Sequence, residues 1–185
     1  MPANSTDRYA PLSIGLHWLM LFVLAAVYCL REFRGIFERG TAERALMREW
    51  HYMLGLSVLA LVVLRLVLRL ATPTPRIEPP LSRVQALAAT LVHGALYLFM
   101  LSMPVLGWLI LSAEGDRIPF FGLSLPTLVA ENKGLAEQFE DLHKLIANIG
   151  YFLVGIHAAA ALFHHYVLRD STLRRMLPRR GGADA

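Results

Sequence analysis

Cysteine is almost missing from this sequence. With Cys29 alone, an internal disulfide is excluded, and so is any zinc or iron–sulfur centre built on several thiolates. Cys29 itself reads as a buried structural thiol. Charge is also scarce: 17% of the 185 residues are Asp, Glu, Lys or Arg, where soluble domains carry about a quarter. No internal repeat and no low-complexity segment interrupts the chain. The first residues, MPANSTDRYAPLS, lack the apolar core and small-residue cleavage site of a removable leader, so the first apolar segment is expected to direct insertion itself.

Apolar residues are in excess, at 56%, with a mean hydropathy of +0.48. A water-soluble chain of this size cannot bury that much apolar surface, so the surplus must face lipid. The net charge of +4 could suit a nucleic-acid binder. Here, however, the basic residues collect at the ends of apolar segments, as in membrane proteins, and no nucleic-acid partner is expected.

Four long apolar segments run over about residues 12–30, 51–70, 84–111 and 142–168. Each reaches the roughly 20 residues needed to cross about 30 Å of hydrocarbon. Helices are required there, because unpaired backbone groups are not left facing lipid. Pro104 is expected to kink the third. Residues 31–50 form a polar first loop, the Pro-rich residues 71–83 an extended linker, and residues 112–141 a longer loop with a short amphipathic helix around 135–139. The fold class is therefore all-α integral membrane: one domain over 1–185, a four-transmembrane-helix bundle. Nine Lys and Arg flank one side and seven the other, the basic tail RRMLPRRGG weighing most, which places both termini in the cytoplasm.

Seven histidines occur, most of them inside apolar segments, where an ionisable side chain is a functional candidate by default. His17 lies about one turn inside the first segment, near the cytoplasm. His51 opens the second, near the outer face, and His143 lies just inside the start of the fourth. His157 follows fourteen residues later, roughly 21 Å deeper and nearly four full turns on, so it shares a face with His143. The depths pair His51 with His143 and His17 with His157. Facing imidazoles in a bundle core suit haem iron, and no Asp, Glu or Cys stands at those depths to suggest another metal. Gly150, halfway between His143 and His157, with Gly55 and Ala161, would let a flat macrocycle approach. Arg65 shares the face of His51 near the inner pair and is a candidate partner for a haem propionate. His93 reads as a packing or hydrogen-bonding residue. His164 continues the spacing of His157 towards the cytoplasm, as a quinone-site group or a headgroup contact; His165 points elsewhere.

The segments GLHWLM, REWHYMLG, DLHKLIANIGYFLVGIHAAAALFHHY, the EFRG at 32–35 and the RRMLP tail resemble the bacterial cytochrome b561 family over essentially the whole chain. The resemblance implies a bundle holding two b haems, with iron ligands at His17, His51, His143 and His157. It implies ubiquinone near the cytoplasmic haem, with His164 at the matching position, and oxidation of superoxide at the outer face of the bacterial inner membrane. On this reading Arg31, Arg34 and Arg48 steer the superoxide anion. They alternate with Glu32, Glu38, Glu43 and Glu49, so a solvated mixed-charge loop explains them equally well. An enzyme passing electrons from superoxide to ubiquinone needs no protein partner. The alternative is a haem-b relay subunit linking the quinone pool to a dehydrogenase or hydrogenase, docking through residues 112–141. A haem-free bundle would require the histidine pairing to be accidental.

Overall fold

A computed structural model of the protein describes residues 8–178; the first residues and the last arginines of the basic tail, Arg179 and Arg180, lie outside the described range. Four helices dominate: α1 (Pro11–Phe33), α2 (Ala42–Ala71), α3 (Arg83–Glu114) and α4 (Lys133–Phe163). All four are long and apolar enough to cross a membrane. Their outward side chains are apolar and bare, with Phe22 68% and Phe152 74% exposed, as lipid contact demands. Cys29 is among these exposed residues. It lines an apolar groove of about 330 Å³ with Phe33, Met47 and Trp50 between α1 and α2, rather than the buried position expected for a small thiol.

Two helices begin well before their apolar segments. Thr41 caps α2 by accepting from the Arg44 N–H at 3.4 Å, and Asn132 caps α4 through the Leu135 N–H at 3.1 Å. The residues that follow, AERALMREW and KGLAEQFED, are polar but mostly strong helix formers. His51 therefore lies inside its helix rather than opening it, His143 lies deeper in its helix than expected, and the amphipathic helix expected around 135–139 is the first turns of α4. A reciprocal cap of Ser82 and Gln85 starts α3, which runs through the buried Pro104 without a break.

Between α3 and α4 stands a hairpin, β1 (Ile118–Phe120) and β2 (Leu123–Leu125), antiparallel with Ile118 opposite Leu125. Its two-residue turn, Phe121–Gly122, has positive φ at both positions, the twist that a tight hairpin needs. A bulky residue resists that conformation. Phe121 is held by a T-shaped contact with Trp50, ring centres 6.2 Å apart, while its N–H points at Met53 Sδ at 3.3 Å. Ile118 packs with Leu56 and Leu111, so the hairpin closes one end of the bundle.

Consecutive helices pack closely: α1 on α2, α2 on α3 and α3 on α4. The backbones of α1 and α2 stand further from α4, and side chains bridge that gap. At the end opposite the hairpin, α4 widens into a single broad turn, His164–Leu168. The chain then reverses at Arg169, φ 55°, and residues 169–178 fold back as a strap. Arg175 donates to the Pro75 carbonyl, and Trp18 Nε1 donates to the Met176 carbonyl at 2.8 Å.

Candidate functional site

The wide gap beside α4 is where the paired histidines meet. His51 of α2 faces His143 of α4 with ring centres 6.5 Å apart, and His17 of α1 faces His157 of α4 at 6.3 Å. Neither pair is hydrogen-bonded to itself. The Val27 carbonyl lies 3.1 Å from His51 Nδ1; a carbonyl only accepts, so Nδ1 carries the proton and Nε2 is left as a free donor of electrons. This arrangement of a second partner behind a ring is what orients metal-binding imidazoles. His143 Nδ1 is buried beside the Met103 backbone without a well-formed hydrogen bond, and its ring lies against Gly107, the position of a Gly107 Cβ falling 3.7 Å from Cε1.

Two bonds of about 2 Å from imidazole nitrogens to one metal ion, with the ring radii added, span about 6 Å. Both pairs have that separation. Among the described residues, no group of three or more His, Cys, Asp or Glu side chains could hold a metal ion. A metal between either pair must therefore draw its remaining ligands from a non-protein group. The side chains present fit a haem.

The sequence of this chain over residues 8–179 matches the family model described as prokaryotic cytochrome b561. The chain belongs to that family. It is 40% identical to "Cytochrome b561 homolog 1" of Escherichia coli K12, covering 94% of this chain and 99% of that one. It is 37% identical to "Probable superoxide oxidase CybB" of Yersinia pestis, over 95% and 98% of the two chains. "Cytochrome b562" of Cereibacter sphaeroides is 30% identical over 91% and 94%. As a cytochrome b561, the protein is a multi-pass membrane electron-transfer protein, and membership implies b-type haem.

Around the His17–His157 pair the b561 bundle holds more than depth alone predicts. His93 of α3 lies 5.3 Å, ring to ring, from His157, so three imidazoles share that layer rather than two, with His93 packed edge-on against the pair. Arg65 is half-buried, with NH1 3.4 Å from the Ser13 carbonyl, and its charge reaches both His17 and His157. No carboxylate of the described protein pairs with it, which leaves the guanidinium free for an anionic group of the cofactor.

Gly150 has a different role from the one expected of it. A Cβ there would overlap the Tyr28 hydroxyl and the Phe99 ring; the absent side chain makes room for those two groups, not for a macrocycle. Tyr28 donates to the Ala147 carbonyl at 2.8 Å and stacks at a tilt on Tyr151, ring centres 4.3 Å apart. An aromatic layer thus separates the two histidine layers. Gly55, by contrast, has open space on its Cβ side.

At the hairpin end, Arg34 has Arg31, Arg44 and Arg48 within electrostatic reach. Arg31 and Arg34 are felt at His51, and Arg31 also at His143. The mixed-charge loop does not pair internally. Among the described residues the ion pairs are Lys144 with Glu140 and Asp141, and His164 with Asp170. Glu32 instead accepts from the Tyr151 hydroxyl at 2.9 Å. His164 stands on the broad turn at the other end, and His165 turns away to stack edgewise on Tyr166 at 4.8 Å.

Proposed function

We propose that this b561 protein is a superoxide:ubiquinone oxidoreductase of the bacterial inner membrane, with two haems, both termini in the cytoplasm and the hairpin end facing the periplasm. The observation that carries this reading is the arginine cluster without carboxylate partners beside the His51–His143 pair: local positive charge next to a redox layer favours a small anionic donor. The name of the Yersinia relative points the same way.

His51 and His143 would hold one haem and His17 and His157 the other, each bound haem supplying a one-electron carrier. Superoxide would give up one electron at the His51–His143 end and leave as dioxygen. Arg31, Arg34 and Arg48 concentrate the anion there. The Val27 carbonyl fixes the His51 ring, Arg65 pairs with a propionate, and His164 serves ubiquinone at the cytoplasmic side, where reduction takes up protons along with electrons. No protein partner is required.

The test is a stopped-flow spectrum of the purified, air-oxidised protein mixed with a superoxide source. A reduced b-haem band should grow rapidly and vanish when superoxide dismutase is added. Reduction by dithionite but not by superoxide would overturn the superoxide reading in favour of a relay subunit serving a separate dehydrogenase or hydrogenase. A haem-loaded preparation with no such band under either reductant would remove the dihaem reading itself.

A further inference from the structure

The strap after α4 is bonded back to one side chain in particular. His164 Nδ1 lies 2.5 Å from Asp170 Oδ2, and the Asp170 backbone N–H donates to the His164 carbonyl at 3.2 Å. The same residue is thus tied to His164 twice, across the broad turn that ends the helix. Such widened turns occur often at functional sites. Asp170 is 3% exposed, and its second oxygen accepts from the Thr172 N–H at 2.8 Å. Burial pushes the carboxyl upward, but the bonds from His164 and Thr172 outweigh it and hold Asp170 below the usual carboxylate range. It is an anion at any physiological pH.

The strap cannot drift from this position easily. Ser171 and Glu78 exchange two bonds, Ser171 N–H to the Glu78 carbonyl and Glu78 N–H to Ser171 Oγ, both 2.9 Å. They anchor the strap to the linker before α3. A carboxylate fixed on Nδ1 keeps a proton there and leaves Nε2, which has no partner among the described residues, as the working nitrogen.

We propose that Asp170 is the positioning residue of the quinone-reduction site: it holds His164 with Nδ1–H on the carboxylate and leaves Nε2 to carry a proton from water to the quinone oxygen. This rests on the ubiquinone reading above. Ubiquinone takes two electrons, from two superoxide anions oxidised to dioxygen, and two protons. One proton leaves His164 Nε2; cytoplasmic water supplies the other and then reprotonates the ring. Asp170 touches no quinone and stays ionised throughout.

The experiment uses the full-length haem-loaded protein, reduced anaerobically with dithionite, excess reductant removed, and mixed with ubiquinone-1. Haem reoxidation is followed against quinone concentration. Asp170→Asn keeps one acceptor, for the Thr172 N–H, and replaces the charged oxygen facing His164 Nδ1 with an amide NH2. Its maximal reoxidation rate should fall about tenfold, a modest share of what a general acid contributes. The half-saturating quinone concentration should stay within twofold, and Asp170→Glu should recover part of the rate. Ser171→Ala loosens the strap without touching the carboxylate and should remain within twofold of the parent. Parental kinetics in Asp170→Asn would overturn the proposal, as would an equal loss in Ser171→Ala, which would make the strap itself the cause. A parent protein that ubiquinone-1 fails to reoxidise would sink the quinone reading first, and this assignment with it.

Discussion

A neutral imidazole in a lipid-spanning bundle needs a reason to be there, and five histidines here share two layers. At each layer the decisive feature is what lies behind the ring. His51 has the Val27 carbonyl at 3.1 Å, and the buried His143 Nδ1 has the Met103 backbone near it, which leaves Nε2 of each ring for a ligand. On the proposed assignment, replacing His143 with Ala removes one ligand from the hairpin-end layer and none from the strap-end layer, whose His157 lies nearly four turns away. The purified variant should therefore carry about half the haem absorbance per polypeptide of the parent, measured by pyridine haemochrome against protein concentration. His93→Ala sets the contrast. Its ring contacts His157, but His17 and His157 already form a pair at ligating distance, so haem content should be unchanged. Equal haem loss in both variants would contradict the assignment of ligands.

Individual elements carry the electrostatics. The end of α1, the short turn Arg34–Ile36 that follows it and the first turns of α2 bring Arg31, Arg34, Arg44 and Arg48 together because α2 starts at Ala42, before its apolar segment. An extended loop over 42–50 would have scattered those charges; a helix stacks Arg44 and Arg48 four residues apart on one side. Arg44 is held by donating to the Phe37 carbonyl at 2.9 Å. Arg31, Arg34 and Arg48 are without carboxylate partners and supply the field. Changing these three to Gln should slow superoxide-driven haem reduction about tenfold at low salt, the lower end of what steering provides. The gap should close to within about twofold near 1 M salt, where the screening length is roughly 3 Å. Salt-independent loss would mean that the arginines act by contact or by folding rather than by attraction at a distance. The hairpin between α3 and α4 supports the same corner through Phe121 on Trp50.

Across the whole molecule, the lipid constraint made the architecture legible in the sequence. Four apolar segments must be four helices, and helix rise alone sorted four histidines into two layers. The rest was hidden for physical reasons. Helix ends were read two turns or more short because Glu, Arg, Lys and Gln end an apolar run without ending a helix; Thr41 and Asn132 were the signals that could have found them. His93 was legible by the same depth arithmetic, ten residues into α3 from the linker and level with His157, but the pairing by twos left no place for it. The packing of Tyr28 and Phe99 over Gly150 depends on which side chains face each other across a gap, and spacing along one helix does not carry that information. The strap was unreadable for the same reason, since Asp170 finds His164 only after the reversal at Arg169. These features also bear on orientation. The strap end gathers Arg8, Arg69, Arg174 and Arg175, while the hairpin end holds the acidic Glu114 and Asp116 beside its arginines. Basic residues are retained on the cytoplasmic side, and acidic ones offset little of that bias. A C-terminal green fluorescent protein should therefore fluoresce and a C-terminal alkaline phosphatase should be inactive. The reverse pattern would put the arginine corner in the cytoplasm and the His164–Asp170 pair outside. Periplasmic superoxide would then meet the strap end, on the far side of the bundle from the His51–His143 pair and its arginines, and the proposed direction of electron flow would fail even with both haems in place.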